Sequence, residues 1–85
     1  MSYSIVIKES ALKQLEKVPK IFSKKIEKLI DSLSENPRPV GVKKLKGTKD
    51  LYRVRVGDYR IIYSIDEDVK IVDVRKIGHR KDIYL

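Results

Sequence analysis

Residues 51–65 alternate apolar with basic or polar side chains on both sides of the dipeptide Gly57-Asp58. A period of two indicates β-strands with one buried face, and a Gly-Asp pair between two such runs is a hairpin signal. If these two residues form the loop, Val56 faces Tyr59 and every earlier residue faces its counterpart across the turn. The sequence therefore predicts an antiparallel hairpin in a defined register.

The predicted hairpin has one apolar face, suited to receive helices, and one face rich in arginine. The apolar face is Tyr52, Val54, Val56, Tyr59, Ile61 and Tyr63. The other face is Leu51, Arg53, Arg55, Arg60, Ile62 and Ser64. Arg55 directly faces Arg60, and like charges in such a pair destabilise a sheet by about 0.2–1 kcal/mol. The face is therefore either solvated, with nearby aspartates as counter-charges, or an anion site suited to phosphate, which the planar arginine fork binds well.

The rest of the chain predicts two helices and two more strands. Residues 3–7 indicate a strand, and a helical pattern opens at Glu9 or Ser10 and stops at Pro19. A second helix carries one apolar stripe, Phe22, Ile26, Leu29, Ile30 and Leu33, and ends at residues 36–39. After a basic connector at residues 40–50 come the hairpin and a last strand at about residues 69–76. The prediction is a single α+β domain over residues 1–85, ordered β-α-α-β-β-β, with an antiparallel-rich sheet and the helical hairpin on one face.

The turn at residues 66–68 sets the pairing of the last two strands. Keeping one face apolar pairs Tyr63 with Val72 and Arg60 with Arg75. Arg75 would then extend the row of Arg55 and Arg60, with Arg53 beside it. The C-terminal segment is expected to bring His79, Arg80 and Tyr84 to the rim of this row, where an aromatic ring beside arginines fits a stacked base with a clamped phosphate. A plain surface histidine and a ring packed on the sheet edge are the alternatives for His79 and Tyr84.

Composition limits the chemistry and the compartment. The net charge of +8 is spread along the chain and favours a polyanionic partner. The absence of Cys and the single His exclude a disulfide framework, a thiolate zinc site and a multi-histidine metal site within one chain. The carboxylates are scattered among lysines, unlike the cluster that two-metal nucleases need, so we expect no metal and no cofactor. No apolar run approaches a membrane span and the start lacks a signal-peptide pattern, which predicts a cytoplasmic protein without a membrane partner.

These residues remain compatible with metal-independent RNA cleavage. A ribose 2′-hydroxyl can attack the neighbouring phosphate if a base, an acid and positive charge on the developing phosphorane are supplied. Arginine supplies the charge but is a poor base, because it stays protonated.

The chain resembles the RelE/ParE toxins of prokaryotic toxin–antitoxin systems. The matching stretches are residues 44–47, 51–63 and 77–84, and the order of elements matches over essentially the whole chain. The Gly-His-Arg ending at residues 78–80, followed by Tyr84, looks more like the RelE branch than the gyrase-poisoning ParE branch.

The resemblance implies a ribosome-dependent endoribonuclease that cuts messenger RNA in the ribosomal A site through the 2′-hydroxyl, without a metal. It also implies a RelB-like antitoxin, which we expect to be acidic, and contact with operator DNA only through the antitoxin complex. Two other functions stay open from the residues: a non-catalytic toxin that acts on DNA gyrase, and a general nucleic-acid-binding module.

The resemblance also implies roles for individual residues. Arg53 and Arg55 match two lysines assigned to proton transfer and phosphate stabilisation in the family. Arg60 matches the arginine that stabilises the transition state. Arg80 matches one that protonates the leaving group or contacts phosphate, and Tyr84 matches the stacking tyrosine. With arginine at 53 and 55, the base is expected to be His79, the Tyr84 hydroxyl or a ribosomal group. Further RNA or phosphate contacts are expected from basic residues nearby: Lys44, Lys46, Arg75 and Lys81.

Overall fold

A five-stranded sheet carries both helices on one of its faces, in a computed structural model that describes residues 2–82. The elements are β1 (Ser4–Ile7), α1 (Glu9–Glu16), α2 (Lys20–Ser32), β2 (Lys43–Lys44), β3 (Leu51–Val56), β4 (Tyr59–Asp66) and β5 (Ile71–His79). The strand order is β1-β5-β4-β3-β2, with β1 parallel to β5 and every other pair antiparallel. The predicted α+β fold is confirmed, with a short strand added inside the basic connector.

The helices lie where the apolar spacing predicts them. α1 buries Ala11 and Leu15, and α2 buries Ile26 and Ile30, so each helix turns one stripe toward the sheet. Pro19 caps the start of α2, a position where a missing backbone N–H breaks no helical hydrogen bond. No helix within residues 2–82 is long and apolar enough to cross a membrane.

The β3–β4 hairpin has the predicted register. Val56 pairs with Tyr59, and the ladder continues to Leu51 opposite Ser64. Gly57 has a φ of 59°, and it is the first residue of the loop. Glycine at this position is typical of a type II′ turn, whose twist matches that of the strands. Arg55 therefore lies directly opposite Arg60, as predicted.

The predicted register between β4 and β5 is wrong. Tyr63 pairs with Val74 rather than Val72, and Arg60 pairs with Gly78 rather than Arg75. Asp66 pairs with Ile71, so a loop of four residues, 67–70, separates the strands and shifts the register by two residues. A β-bulge between the pairs of Ile62 and Tyr63 then inserts one more residue into β5 before Arg60 is reached. The predicted register assumed that side chains alternate between the two faces without interruption, and an inserted residue breaks that alternation. The strand also runs to residue 79, beyond the predicted end at residue 76.

One buried cluster joins the helices to the sheet, and its largest member is fully buried Tyr63. The Tyr63 hydroxyl donates a hydrogen bond to the carbonyl of Pro37 (2.7 Å). Burial raises the pKa of Tyr63 to about 12. This contact ties the segment after α2 to the middle of the sheet, and it keeps the helices on the face opposite the arginines.

Candidate functional site

Arginines from β3 and β4 gather on the sheet face that the helices leave uncovered. We call Arg53, Arg55 and Arg60, together with Arg80 just after β5, the arginine cluster. Arg55 pairs with Arg60 across the hairpin, and Arg53 pairs with Ile62 two residues further along the strands, on the same face. The positive charges of the other three members all lower the pKa of Arg60, so the four guanidinium groups share one electrostatic environment.

Arg60 is the member whose hydrogen bonding is incomplete. Its Nε atom is buried and has no hydrogen-bond partner among residues 2–82. Burial is the largest cause of the lowered pKa of Arg60, and the neighbouring positive charges add to it. Leaving a buried donor unpaired is unfavourable, and a negatively charged oxygen is the acceptor that relieves both the unpaired donor and the repulsion. The cluster is therefore suited to a phosphate.

Lys43 extends the same face and was not predicted from the sequence. It lies on β2 directly opposite Arg53, whereas its neighbour Lys44 lies opposite Tyr52 on the helix side. A strand of two residues shows no alternation, so its register could not be read. The available signal is Gly47, whose φ of 77° allows the chain to turn back beside β3.

His79 lies on the opposite face of the sheet from the arginine cluster. It pairs with Tyr59, and the two rings meet edge-on with centroids 5.6 Å apart. The Lys81 backbone N–H donates to His79 Nδ1 (3.2 Å), so the neutral ring carries its proton on Nε2. The ring lines an open cavity of about 380 Å³ beside α1. The expectation that His79 joins the arginines at one rim is wrong, because residue 79 follows Gly78 by one step and therefore takes the other face.

The other predicted residues are dispersed. Arg75 is exposed beside the bulge, and its Nη1 lies 3.6 Å from Asp73 Oδ2. Lys46 lies in the loop between β2 and β3, and Lys81 follows Arg80 directly. Tyr84 lies outside the described residues. Within residues 2–82, no three histidine or acidic side chains come together as a group that could hold a metal ion.

A family model described as "ParE toxin of type II toxin-antitoxin system, parDE" matches residues 5–84. The chain belongs to this ParE toxin family. Within the wider RelE/ParE group, the relatives include several proteins named RelE, which confirms the resemblance to that branch.

The similarity to individual RelE proteins extends over nearly the whole chain. The toxin RelE3 of Methanocaldococcus jannaschii is 36% identical over 84 residues, covering 94% of this chain and 93% of the relative. The mRNA interferase toxin RelE of Escherichia coli is 28% identical, covering 95% and 86%. The RelE chain of the archaeal RelE–RelB complex from Pyrococcus horikoshii superposes with a TM-score of 0.84 at 35% identity, covering 98% of this chain and all of that one.

Proposed function

We propose that this protein is the toxin of a type II toxin–antitoxin pair and cuts messenger RNA in the ribosomal A site. The observation that carries the proposal is the arginine cluster, with its buried and unpaired donor on Arg60. Relatives named mRNA interferase support the choice of RNA as the anion. Its work on translating ribosomes would be in the cytoplasm.

The proposed reaction is a metal-independent transesterification. The ribose 2′-oxygen loses its proton and attacks the adjacent phosphorus, the bond to the 5′-oxygen breaks, and that oxygen takes up a proton from water. The products are a 2′,3′-cyclic phosphate and a 5′-hydroxyl. Arg55 and Arg60 face each other across the hairpin and would stabilise the extra negative charge of the phosphorane. Arg53 and Arg80 would hold the flanking phosphate oxygens. These are proposed roles that follow from position and charge.

The proton of the 2′-hydroxyl needs an acceptor outside the arginine cluster, since arginine stays protonated. His79 lies on the other face of the sheet and presents Nε2–H when neutral. We therefore assign proton acceptance to the ribosome. This assignment gives a physical reason why the purified protein should cut free RNA poorly.

The proposed partner is an acidic RelB-like antitoxin. The solved RelE relatives include RelE–RelB complexes from Pyrococcus horikoshii and Escherichia coli. A net charge of +8 accelerates association with an acidic segment at low salt, and this acceleration weakens as salt screens the charges. An antitoxin whose toxin-binding segment carries net positive charge would contradict this pairing.

The direct test is cleavage of messenger RNA on programmed ribosomes by the purified protein. We expect rapid cutting within the A-site codon, unaffected by EDTA, with the product ends given above. Arg60→Met should fold with equal or higher thermal stability, because it removes an unpaired donor from a field of like charges, and it should lose cleavage. Lys25→Met, on the exposed side of α2, removes one charge far from the cluster and serves as its control.

Three results would reject the proposal. They are EDTA-sensitive cutting of naked RNA, a 5′-phosphate product, and full activity of a well-folded Arg60→Met protein. Inhibition of DNA gyrase without codon cleavage would indicate the other branch of the toxin group.

A further inference from the structure

We propose that Asp58 is a positioning residue that orients the guanidinium group of Arg80 toward Arg60. The proposal rests on the proposed function, since it concerns how the arginine cluster receives a phosphate. Nothing in the sequence pattern distinguishes Asp58 from an ordinary turn residue. Its contacts in the folded protein do.

Asp58 makes two separate contacts with Arg80. The Arg80 backbone N–H donates to the Asp58 carbonyl oxygen (2.8 Å). The Asp58 carboxylate Oδ1 lies 3.9 Å from Arg80 Nε. The ladder between β4 and β5 ends with Tyr59 opposite His79, so these contacts fasten the chain one step beyond the last pair. The segment that follows β5 is therefore held to the β3–β4 turn.

Without a nearby carboxylate, Arg80 would be repelled from the site. Its charge is one of those that lower the pKa of Arg60, so the two side chains oppose each other. The Asp58 carboxylate supplies a negative charge next to the Nε atom of Arg80. An arginine held through Nε keeps its two terminal amino groups for a phosphate, because the guanidinium donors are fixed in one plane.

On β5, the position beside Arg60 is occupied by a glycine, Gly78. Gly78 lies directly opposite Arg60, so it is on the same face of the sheet as Arg60, and it has no side chain. A residue with a side chain there would stand about 5 Å from Arg60 at the Cβ position. The register thus leaves room for a phosphate beside Arg60, next to the Arg80 side chain that Asp58 holds in place.

The ion pair contributes little to folding. The side chains of Arg80 and Asp58 are 52% and 65% exposed, and exposed pairs of this kind contribute about 0–1 kcal/mol. A loss of Asp58 should therefore affect the orientation of Arg80 more than the stability of the fold. This difference makes the role testable.

The first experiment is single-turnover cleavage on programmed ribosomes at saturating toxin. Asp58→Ala should slow cleavage about tenfold, a modest loss for a displaced charge near a reacting group. Asp58→Glu keeps the negative charge that attracts Arg80 and should stay within about threefold of wild type. In an Arg80→Ala background, Asp58→Ala should slow cleavage no further, because Asp58 is proposed to act only through Arg80. The double-mutant cycle measures this coupling between the two residues. Asp68→Ala removes an exposed aspartate from the β4–β5 turn and serves as the control.

Three outcomes of that experiment overturn the proposal. Asp58→Ala could be as active as wild type. The loss could be equally large with and without Arg80, which would mean that Asp58 acts independently. Asp58→Glu could be as slow as Asp58→Ala, which would mean that the charge at position 58 does not hold Arg80.

A second measurement needs no cleavage and separates this proposal from the proposed function. In the free protein, the Nε–Hε NMR resonance of Arg80 should shift in Asp58→Ala and not in Asp68→Ala. Titration with inorganic phosphate should show binding near Arg80 that is about threefold weaker in Asp58→Ala, as expected for one misplaced charged contact. An unchanged resonance and unchanged phosphate binding would overturn the positioning role, even if wild type cuts messenger RNA. A wild-type protein that passes this test but cuts nothing on ribosomes would reject the proposed function alone.

Discussion

Arginine at positions 53 and 55 determines which part of the proposed chemistry the protein itself can perform. The family resemblance implies lysines at these positions, and a lysine can exchange its proton when its pKa is lowered. Arginine supplies a permanent charge and a two-pronged hydrogen-bond donor, so it stabilises a phosphorane and leaves proton removal to another group. Two lysines lie on this face in the strand register: Lys43 opposite Arg53, and Lys76 opposite Ile62.

Lys43 and Lys44 form a matched pair for testing which face binds RNA. They are adjacent and both exposed, but the register places only Lys43 beside Arg53. Lys43→Gln should weaken binding to ribosomes programmed with a messenger RNA that carries a 2′-deoxy residue at the cleavage site and therefore cannot be cut. It should also reduce the dependence of log affinity on log salt by about one, as loss of one phosphate contact does. Lys44→Gln should change this slope much less. Equal effects of the two substitutions would mean that the register does not define the binding face.

At the scale of elements, β5 changes partners along its length. β1 pairs with it only as far as Val74, because β1 ends at Ile7. Beyond that point the side chain of Gln14 on α1 takes over, and its Oε1 accepts a hydrogen bond from the Ile77 backbone N–H (2.9 Å). A helix side chain thus replaces the missing strand at the edge that leads to Gly78 and Arg80.

Loss of the Gln14 acceptor should destabilise the fold. Gln14→Met keeps the length of the side chain but leaves the part-buried N–H of Ile77 without a partner, at a cost of about 1–2 kcal/mol. Urea unfolding measures the difference, with Lys13→Met as the control on the neighbouring exposed position. Equal stability of the two variants would show that water satisfies this N–H as well as Gln14 does.

The pairing of the strands shows how far the sequence predicts the fold. The β3–β4 register was predictable because the loop chemistry of Gly57-Asp58 is local and fixes it. The β4–β5 register was not, because the loop between these strands takes four residues, 67–70, and a bulge then inserts Arg75 into β5. The charged neighbours Arg75 and Lys76 between buried Val74 and Ile77 give no sign of an inserted residue.

The same physics explains which parts of the site were predictable. Arg55 and Arg60 follow from the hairpin alone. The faces of His79 and Lys43 depend on registers that the sequence does not fix, and a shift of one residue moves a side chain to the other side of a sheet. Arg75 left the predicted row because the loop and the bulge place Gly78 opposite Arg60 instead. The contacts of Asp58 with Arg80 could not be expected from either residue.

At the scale of the whole molecule, one ionic network joins segments that are distant in sequence. Glu67 in the β4–β5 turn accepts a hydrogen bond from the Tyr3 hydroxyl (2.6 Å) and lies 2.7 Å from Arg38 Nη1. Arg38 also donates to the Tyr52 hydroxyl (3.3 Å). The Tyr3 hydrogen bond, followed by that from Arg38, lowers the pKa of Glu67 from 4.5 to about 2. The network fastens the chain at the end of the sheet that carries the β4–β5 turn.

This lowered pKa predicts how acid should affect stability. A carboxylate with a lower pKa in the folded state stabilises the fold fully above its unfolded pKa of 4.5, and the contribution is lost as pH falls toward 2. Wild type should therefore exceed Glu67→Gln in stability at neutral pH, and the gap should shrink on acidification through that window. Thermal unfolding across the pH range measures it, with Glu35→Gln as the control. A gap that does not depend on pH would mean that the Glu67 charge is not involved.

The central position of β5 has a consequence for the order of synthesis. Of the described strands, β5 leaves the ribosome last, yet it lies between β1 and β4 and supplies buried Val72, Val74 and Ile77. Until it emerges, β1 has no strand to pair with and Arg80 does not yet exist beside Arg60. A nascent chain therefore lacks the proposed phosphate site until β5 and Arg80 have emerged. The proposed activity then begins only after β5 has folded between β1 and β4.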